Sequence, residues 1–534
     1  MKKYILISAC LLLVFSNQVY AQKAKQKTAR KQSAKPVAAK TPAKQVAPIS
    51  SANAAQLNQA LRYVQSGQCQ QAAPMLYTMS KRSDFEKERM QIKYILGNCL
   101  IDLGLNQVAA FELVEVIKHG NSRYVKQAIE KLSLAADALG DDSLLNYAVS
   151  KVNVSDVPAN GKDLIYFRLG EVKSKTGQFE KAIDAFNRVP DSSKYYFLSR
   201  YNKGLALLEM KRPQEAIQLF TALSNIRSSA GVTDTNRVLA KMGLARAYYQ
   251  AHDWDNSIAT YRDIPKDHVL WHDALFESSW AMLRGARFRS ALSSFHSLHS
   301  SYYLDHYIPE SLLVRSIVYL YICRYDEMEK VLDLFDKSYG KMSSDITVYL
   351  NRYKDPDTYY QEVESILNFK TGKTFNKTRL PLVASNFILH EGDVKRGFNY
   401  LRALNDEKNK LDQIPAISKS SLGARGRKII GNRFKNARIS IGEMVRNHMT
   451  AMNVELKDLY EQASFIRYEM INGKKEQIKK RIAGKEIINT NVNDDIDRSV
   501  YVQNGYEYWP FDGEYWLDEI GNYHFLGKQN CEKR

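Results

Sequence analysis

The residues able to do chemistry are few, and their spacing argues against catalysis. Glu277 and Ser278 set a carboxyl beside a hydroxyl, from which acid-catalysed glycan cleavage could start. Both fall in the first helix of a repeat, however, and no Gly-Leu-Met-Gln segment follows them. His268 and His272 stand at i, i+4, and His296 and His299 at i, i+3, with Asp273, Asp305 and His306 nearby. Helical spacing can bring two imidazoles to one face, as zinc sites do. No Cys or Glu completes a ligand set at a recognised spacing, so no metal and no cofactor are expected. The chain also lacks a phosphate loop, a dinucleotide fingerprint, a nucleophile elbow and an HExxH pair. A non-enzyme is expected.

Cysteine is the other reactive residue. Cys69 opens the second helix of a hairpin and Cys99 lies late in the first helix of the next, so adjacent repeats bring both to one edge. A disulfide there is geometrically reasonable in an oxidising compartment; two packed free thiols are the alternative. Cys323 and Cys531 have no obvious partners, although a link anchoring the tail to a repeat would use them.

The elements that position these residues follow one recurring pattern. It reads Leu169, Gly170, Gly177, Phe179, Ala182, Phe186; then Gly204, Ala216, Phe220; Trp254, Ser257, Tyr261; Phe288, Ala291, Phe295; and Tyr325, Met328, Leu332. The small-residue slot falls at 182, 216, 257, 291 and 328, in steps of 34, 41, 34 and 37. Such a period means stacked helical hairpins. A small residue in the second helix lets two helices approach, an aromatic three residues earlier begins that helix, and an aromatic four residues later fills the next groove. Pro213 replaces the starting aromatic in one unit, and Met328 with Leu332 ends the series. One hairpin cannot bury this face alone, so neighbours must stack.

The Leu-Gly pair, the Gly-x-aromatic turn, Ala and then an aromatic resemble the tetratricopeptide repeat, most cleanly over residues 162–193. Looser copies cover 53–120, with Gly67, Ala72, Gly104 and Ala109 in the turn and packing slots, and degenerate ones cover 121–155 and 380–405. The resemblance implies an all-α fold, a right-handed superhelical solenoid of tetratricopeptide-like hairpins over 51–337 with degenerate helical repeats over 338–427. It is nearly silent about chemistry.

Lys2 and Lys3 precede an apolar run from Tyr4 to Phe15, and Ala21 offers a small residue for cleavage, so residues 1–21 read as a secretory signal peptide. A lipoprotein reading through Cys10 is the alternative. The mature chain is expected to have no transmembrane segment and to lie in the periplasm, with association to the outer membrane as the alternative. Residues 22–50 form a basic tether, with eight Lys or Arg and no acid between 22 and 48, too polar to fold. It is either a spacer or a contact for peptidoglycan or another anionic surface. The net charge of +19 is therefore concentrated in segments, and export argues against nucleic acid as a partner.

From Val445 the apolar positions Met449, Met452, Leu456, Leu459, Ala463, Ile466 and Met470 alternate steps of four and three. This seam predicts a long basic helix, coiled-coil-like, within 428–485, paired with earlier helices of the same chain or with another subunit. An acidic aromatic tail occupies 486–534. Asp512-Gly513 signals a turn, so a short β-hairpin is expected there. Trp509, Phe511, Tyr515 and Trp516 are candidate partner-binding residues, with a cap on the array as the alternative. Tyr248, Tyr249, Trp271, Trp280, Tyr319 and Tyr321 are candidate anchors on the repeats.

The export signal, the degenerate repeats, the basic helix and the terminal Trp-Pro-Phe-Asp-Gly-Glu-Tyr-Trp resemble repeat proteins of predatory bacteria and myxobacteria, some of them in adventurous-gliding motility machinery. That resemblance implies a scaffold subunit of an envelope complex, binding other envelope proteins through its solenoid surface. The alternatives are a peptidoglycan-binding or envelope-enzyme accessory protein, or an assembly factor for outer-membrane proteins.

Overall fold

In the computed structural model, residues 51–119, 122–141, 143–150, 162–226, 233–303, 306–370, 379–483, 515–525 and 531 are described. The helices run as antiparallel hairpins: α1 (Ser51–Gln65) with α2 (Cys69–Lys81), α3 (Arg89–Asp102) with α4 (Asn106–His119), and α5 (Ser122–Leu139) with α6 (Ser143–Val149). Next come α7 (Lys162–Lys175) with α8 (Phe179–Asn187), α9 (Tyr196–Glu209) with α10 (Pro213–Ser224), and α11 (Asp234–Gln250) with α12 (Trp254–Arg262). Then follow α13 (Trp271–Arg284) with α14 (Phe288–Leu298), and α15 (Pro309–Tyr321) with α16 (Tyr325–Arg352). Each helix packs on its sequence neighbours, which makes the fold an all-α solenoid of tetratricopeptide-like hairpins.

The turn inside each hairpin explains the period. A left-handed backbone position recurs at Gly67, Gly104, Gly140, Gly177, Lys211, His252, Ala286 and Cys323. In every case the next residue donates its N–H back to the carbonyl five before it, as in Gln178 to Lys173 and Arg212 to Leu207, both 2.9 Å. This wrap satisfies carbonyls at the helix end and reverses the chain. The small-residue slot follows five positions later, and Ala72, Ala109, Ala182, Ala216, Ser257, Ala291 and Met328 are all fully buried.

Close packing across each hairpin needs a small residue beneath the large one. A Cβ at Gly204 would lie 2.5 Å from the Phe220 ring, and one at Gly170 would meet Phe186 in the same way. Phe186, Phe220 and Phe295 are each 0 % exposed. The phenyl ring therefore sits where a first-helix side chain would otherwise stand.

Helix α16 is 28 residues long and runs across residue 337, where the solenoid was expected to grade into degenerate repeats. It is followed by α17 (Pro356–Lys370), α18 (Leu382–His390), α19 (Gly392–Gln413), the single turn α20 (Pro415–Ser418) and the 62-residue α21 (Ser421–Ile482). Helix α21 starts seven residues before the expected 428, because Ser420 accepts the Gly423 N–H through its hydroxyl at 3.3 Å and opens the helix there. The tail hairpin expected at Asp512-Gly513 lies outside the described residues. Residues 515–525 form turns, and no strand occurs among the described residues.

At about 1.5 Å per residue, α21 is roughly 90 Å long, and it closes the array. Its start packs on α2 and α4, its middle on α17, α18 and α19, and its end on α15 and α16. The seam residues Val445, Met449, Met452, Leu456, Leu459, Ala463, Ile466 and Met470 are all buried against helices of this chain. Two glycines allow the approach: Gly442 passes beneath the Pro356 carbonyl and Gly473 beneath the Tyr325 ring. Arg438 pairs with Asp357 at 3.0 Å, and Lys474 pairs with Asp326 and Glu329 at 3.0 and 2.7 Å.

A left-handed conformation costs a side-chain-bearing residue roughly 1–2 kcal/mol, and glycine gives back part of the difference in chain entropy. Lys211→Gly and Ala286→Gly should therefore each stabilise the protein by about 0.5–1 kcal/mol in chemical denaturation. Destabilisation by both would sink the turn assignment.

Candidate protein-binding surface

The face built by α13, α14 and α15 already carries a ligand in cis, the C-terminal tail. Ser293 and Ser297 are one turn apart on α14, and their hydroxyls accept the backbone N–H groups of Phe525 (2.9 Å) and Gly521 (2.8 Å). Lys266 donates to the Ile520 carbonyl at 3.0 Å, and the Tyr302 hydroxyl donates to the Tyr515 carbonyl at 3.4 Å. Main-chain groups of the tail are thus read by side chains of the repeats, the chemistry of peptide binding.

Side chains fill the remainder of the contact. Ile520 is buried. The His296 ring packs on Tyr515 and Tyr523, with centroids 5.2 and 4.5 Å away. Phe525 meets Tyr319 edge-on at 6.2 Å and lies under the Arg324 guanidinium at 5.7 Å. Gly521 has φ +84, and a Cβ there would come within 2.7 Å of the Trp271 ring, so both its conformation and its lack of a side chain are required. Beyond Phe525, Cys531 is bonded to Cys323 at the turn between α15 and α16, with Cα atoms 5.2 Å apart. A cleft of about 390 Å³, lined by Arg287, Phe288, Arg289, Ile322 and Phe525, continues the same face.

Of the candidate tail residues, Tyr515 is half-buried on His296, Trp516 is 60 % exposed, and Trp509 and Phe511 lie outside the described residues. Of the candidate anchors, Trp280 and Tyr319 belong to the core, whereas Tyr321 is exposed and stacks on Phe288 at 5.4 Å. Cys69 and Cys99 are bonded, with Cα atoms 5.1 Å apart.

The residues singled out for chemistry hold structure. Glu277 receives Nε and Nη2 of Arg246 at 2.8 and 2.6 Å and the Tyr261 hydroxyl at 2.7 Å, while Ser278 donates to the Leu275 carbonyl of its own helix. His272 lies 4.3 and 4.5 Å from the rings of His306 and Tyr303, and burial lowers it to about 3. Burial, followed by the charge of Arg315, lowers His296 to about 4, so it meets the tail as a neutral ring. His299 contacts Ser311 at 2.7 Å and Arg315 at 3.1 Å. Asp305 lies outside the described residues.

Among the described residues, one group has metal-ligand composition: Glu391, Asp393 and His448. His448 Nε2 is 2.9 and 3.0 Å from the two Asp393 oxygens, a polar contact that ties α19 to α21. His448 stands 55 positions from Asp393, and no local spacing could reveal the group.

The comparisons concern the array. Residues 167–230 match the family model of the tetratricopeptide repeat. No curated protein is significantly similar to the chain. Similar solved structures include a Rap protein complexed with competence and sporulation factor, at 11% identity over 73% of this chain and 99% of that one, with a TM-score of 0.27. Others are the apo form of RapI, at 13% identity over 66% and 98% with a TM-score of 0.33, and the P58(IPK) TPR domain, at 12% over 72% and 99% with a TM-score of 0.18. Scores this low bear on neither ligand nor mechanism. The matched segment is thus a tetratricopeptide repeat, a module of protein–protein interaction, set among hairpins of similar form.

Buried acids lie at the contacts that close the array. Glu407 of α19 accepts the N–H groups of Gln107 and Val108 at 2.7 and 3.1 Å, capping α4 from 300 residues away. Burial pushes it from 4.5 up to about 7, against the pull of those donors. Burial does the same for Glu455, which accepts the Tyr307 hydroxyl at 3.2 Å, and for Glu310, where the Glu455 charge adds to it. A folded value above the unfolded one means that the folded state holds more protons between about 4.5 and 7. Their contribution is complete below the ordinary carboxylate range and is lost as pH rises through about 7. Each titrating group changes stability by at most about 1.4 kcal/mol per pH unit. Unfolding measured at pH 5 and pH 8 should show a smaller loss in Glu407→Gln than in the parent; an equal or larger loss would refute the assignment.

Proposed function

We propose that the chain is a non-catalytic scaffold of a bacterial cell-envelope complex that holds extended segments of partner proteins on the face formed by α13, α14 and α15. The observation that carries this reading is the seating of residues 515–525, whose backbone is recognised by Ser293, Ser297 and Lys266. Such recognition is indifferent to most side chains, so a face that accepts the tail can accept other chains of similar shape.

Sequence and bonding support the placement. Residues 1–21 have the form of an export leader, and the pairs Cys69–Cys99 and Cys323–Cys531 suit an oxidising compartment. No helix among the described residues is long and apolar enough to cross a membrane. Gliding-motility machinery is the first complex to test, on the strength of the tail sequence, and the basic segment 22–50 would lie near anionic envelope polymers.

The tail and a partner would compete for one face, so the apparent affinity falls by the fraction of molecules with the tail seated. Capture from cross-linked envelopes should recover a defined protein partner. Ile520→Asp, or Cys323→Ser with Cys531→Ser, should raise its recovery by about threefold or more. Recovery of peptidoglycan fragments with no stable protein partner would overturn the scaffold reading in favour of wall binding.

A further inference from the structure

Helix α21 carries two apolar rows, and the array buries one. On the opposite side Phe465, Tyr468, Ile471, Ile478 and Ile482 are between 56 and 81 % exposed, and Val454 is 53 % exposed. Val454, Tyr468 and Ile482 are spaced by two heptads, and Ile471 and Ile478 by one. On a helix that winds around another, residues so spaced stay on one side. Glu461 and Lys475 fill the two heptad positions between the first three, so the outer row reads Val454, Glu461, Tyr468, Lys475, Ile482, with Phe465, Ile471 and Ile478 beside it.

The charges along the row select its partner. Exposed acids, Asp458 and Glu461, stand in its first part, and exposed Lys475 and Lys479 in its last, where Lys479 also pairs with Glu476 of its own helix at 2.7 Å. Lys474, on the same turn, is turned to the other side by Asp326 and Glu329 of α16. An antiparallel second copy, with its two-fold axis near Phe465 and Tyr468, sets Lys475 and Lys479 against Asp458 and Glu461 and brings Ile482 beside Val454. A parallel copy would set like charge against like. The groove of about 520 Å³ along Lys457, Asp458, Tyr460, Glu461 and Ser464 then receives Ile478 of the second copy.

We infer that α21 is a dimerisation helix, its outer row packing antiparallel on the same row of a second copy of this chain. The inner row holds the array closed while the outer row joins two arrays, a division that leaves the tail-bearing face of each outside the junction. The interaction is isologous, so every contact is made twice.

Sedimentation equilibrium of the full-length, oxidised chain tests this. The parent protein should form a dimer, and Tyr468→Asp should abolish it while leaving helix content and the unfolding midpoint unchanged. Lys475→Glu should weaken association about tenfold, and adding Glu461→Lys in the same chain should restore it, because the reversed pair is complementary only in the antiparallel arrangement. A photo-crosslinking residue at 468 should give adducts between two chains near residues 458–475. A monomer at every concentration up to about 100 μM, well above the Kd expected of a specific dimer, would overturn the proposal. So would an unrescued double charge reversal, or an adduct to residues 484–514 of the same chain.

Discussion

The structure depends on the packing of α21 along the inside of the chain's two ends. A stack of hairpins is held by nearest-neighbour contacts, so each end can fray without much cost to the other. Helix α21 removes that independence, because its start is buried against α2 and α4 and its end against α15 and α16. Opening one end then exposes the seam that holds the other. Glu112 shows the coupling at one residue: almost fully buried on α4, it faces Lys93 of α3 and Arg425 of α21, each at 3.5 Å. A buried acid left without either cation would be costly, and that cost is one reason for α21 to lie where it does.

The closed array also gives the tail a fixed platform. Ser293, Ser297 and His296 belong to one helix whose other side is locked in the core by Leu292, Phe295 and Leu298. The tail can therefore be bound by side chains that do not rearrange, which keeps the entropic cost of binding low. The Cys323–Cys531 bond adds to this by keeping the tail close even when its polar contacts open.

Much of this was legible in the sequence because it is local. The hairpin period, the glycine turns and the Ala-to-aromatic spacing are set within about forty residues, and the α21 seam repeats along one helix. Lys211, His252, Ala286 and Cys323 were not legible as turn residues, since they are not glycines and are held in the left-handed region by the wrap of the preceding helix. The pairing of Glu407 with the start of α4 was equally hidden, as was that of His448 with Asp393. Helical spacing placed His296 near His299, but only packing showed that one meets the tail and the other meets Ser311 and Arg315.

By itself, then, the sequence determined that the chain is a helical-hairpin array followed by a long helix with an apolar seam. Helix periodicity and turn chemistry act over a few residues, and composition records them directly. Which surfaces that seam covers, that the array closes on itself, and that the tail lies on α14 were decided by the tertiary structure. Those contacts join residues 55 to 300 positions apart, where no spacing rule operates and complementarity of shape and charge alone selects the partner.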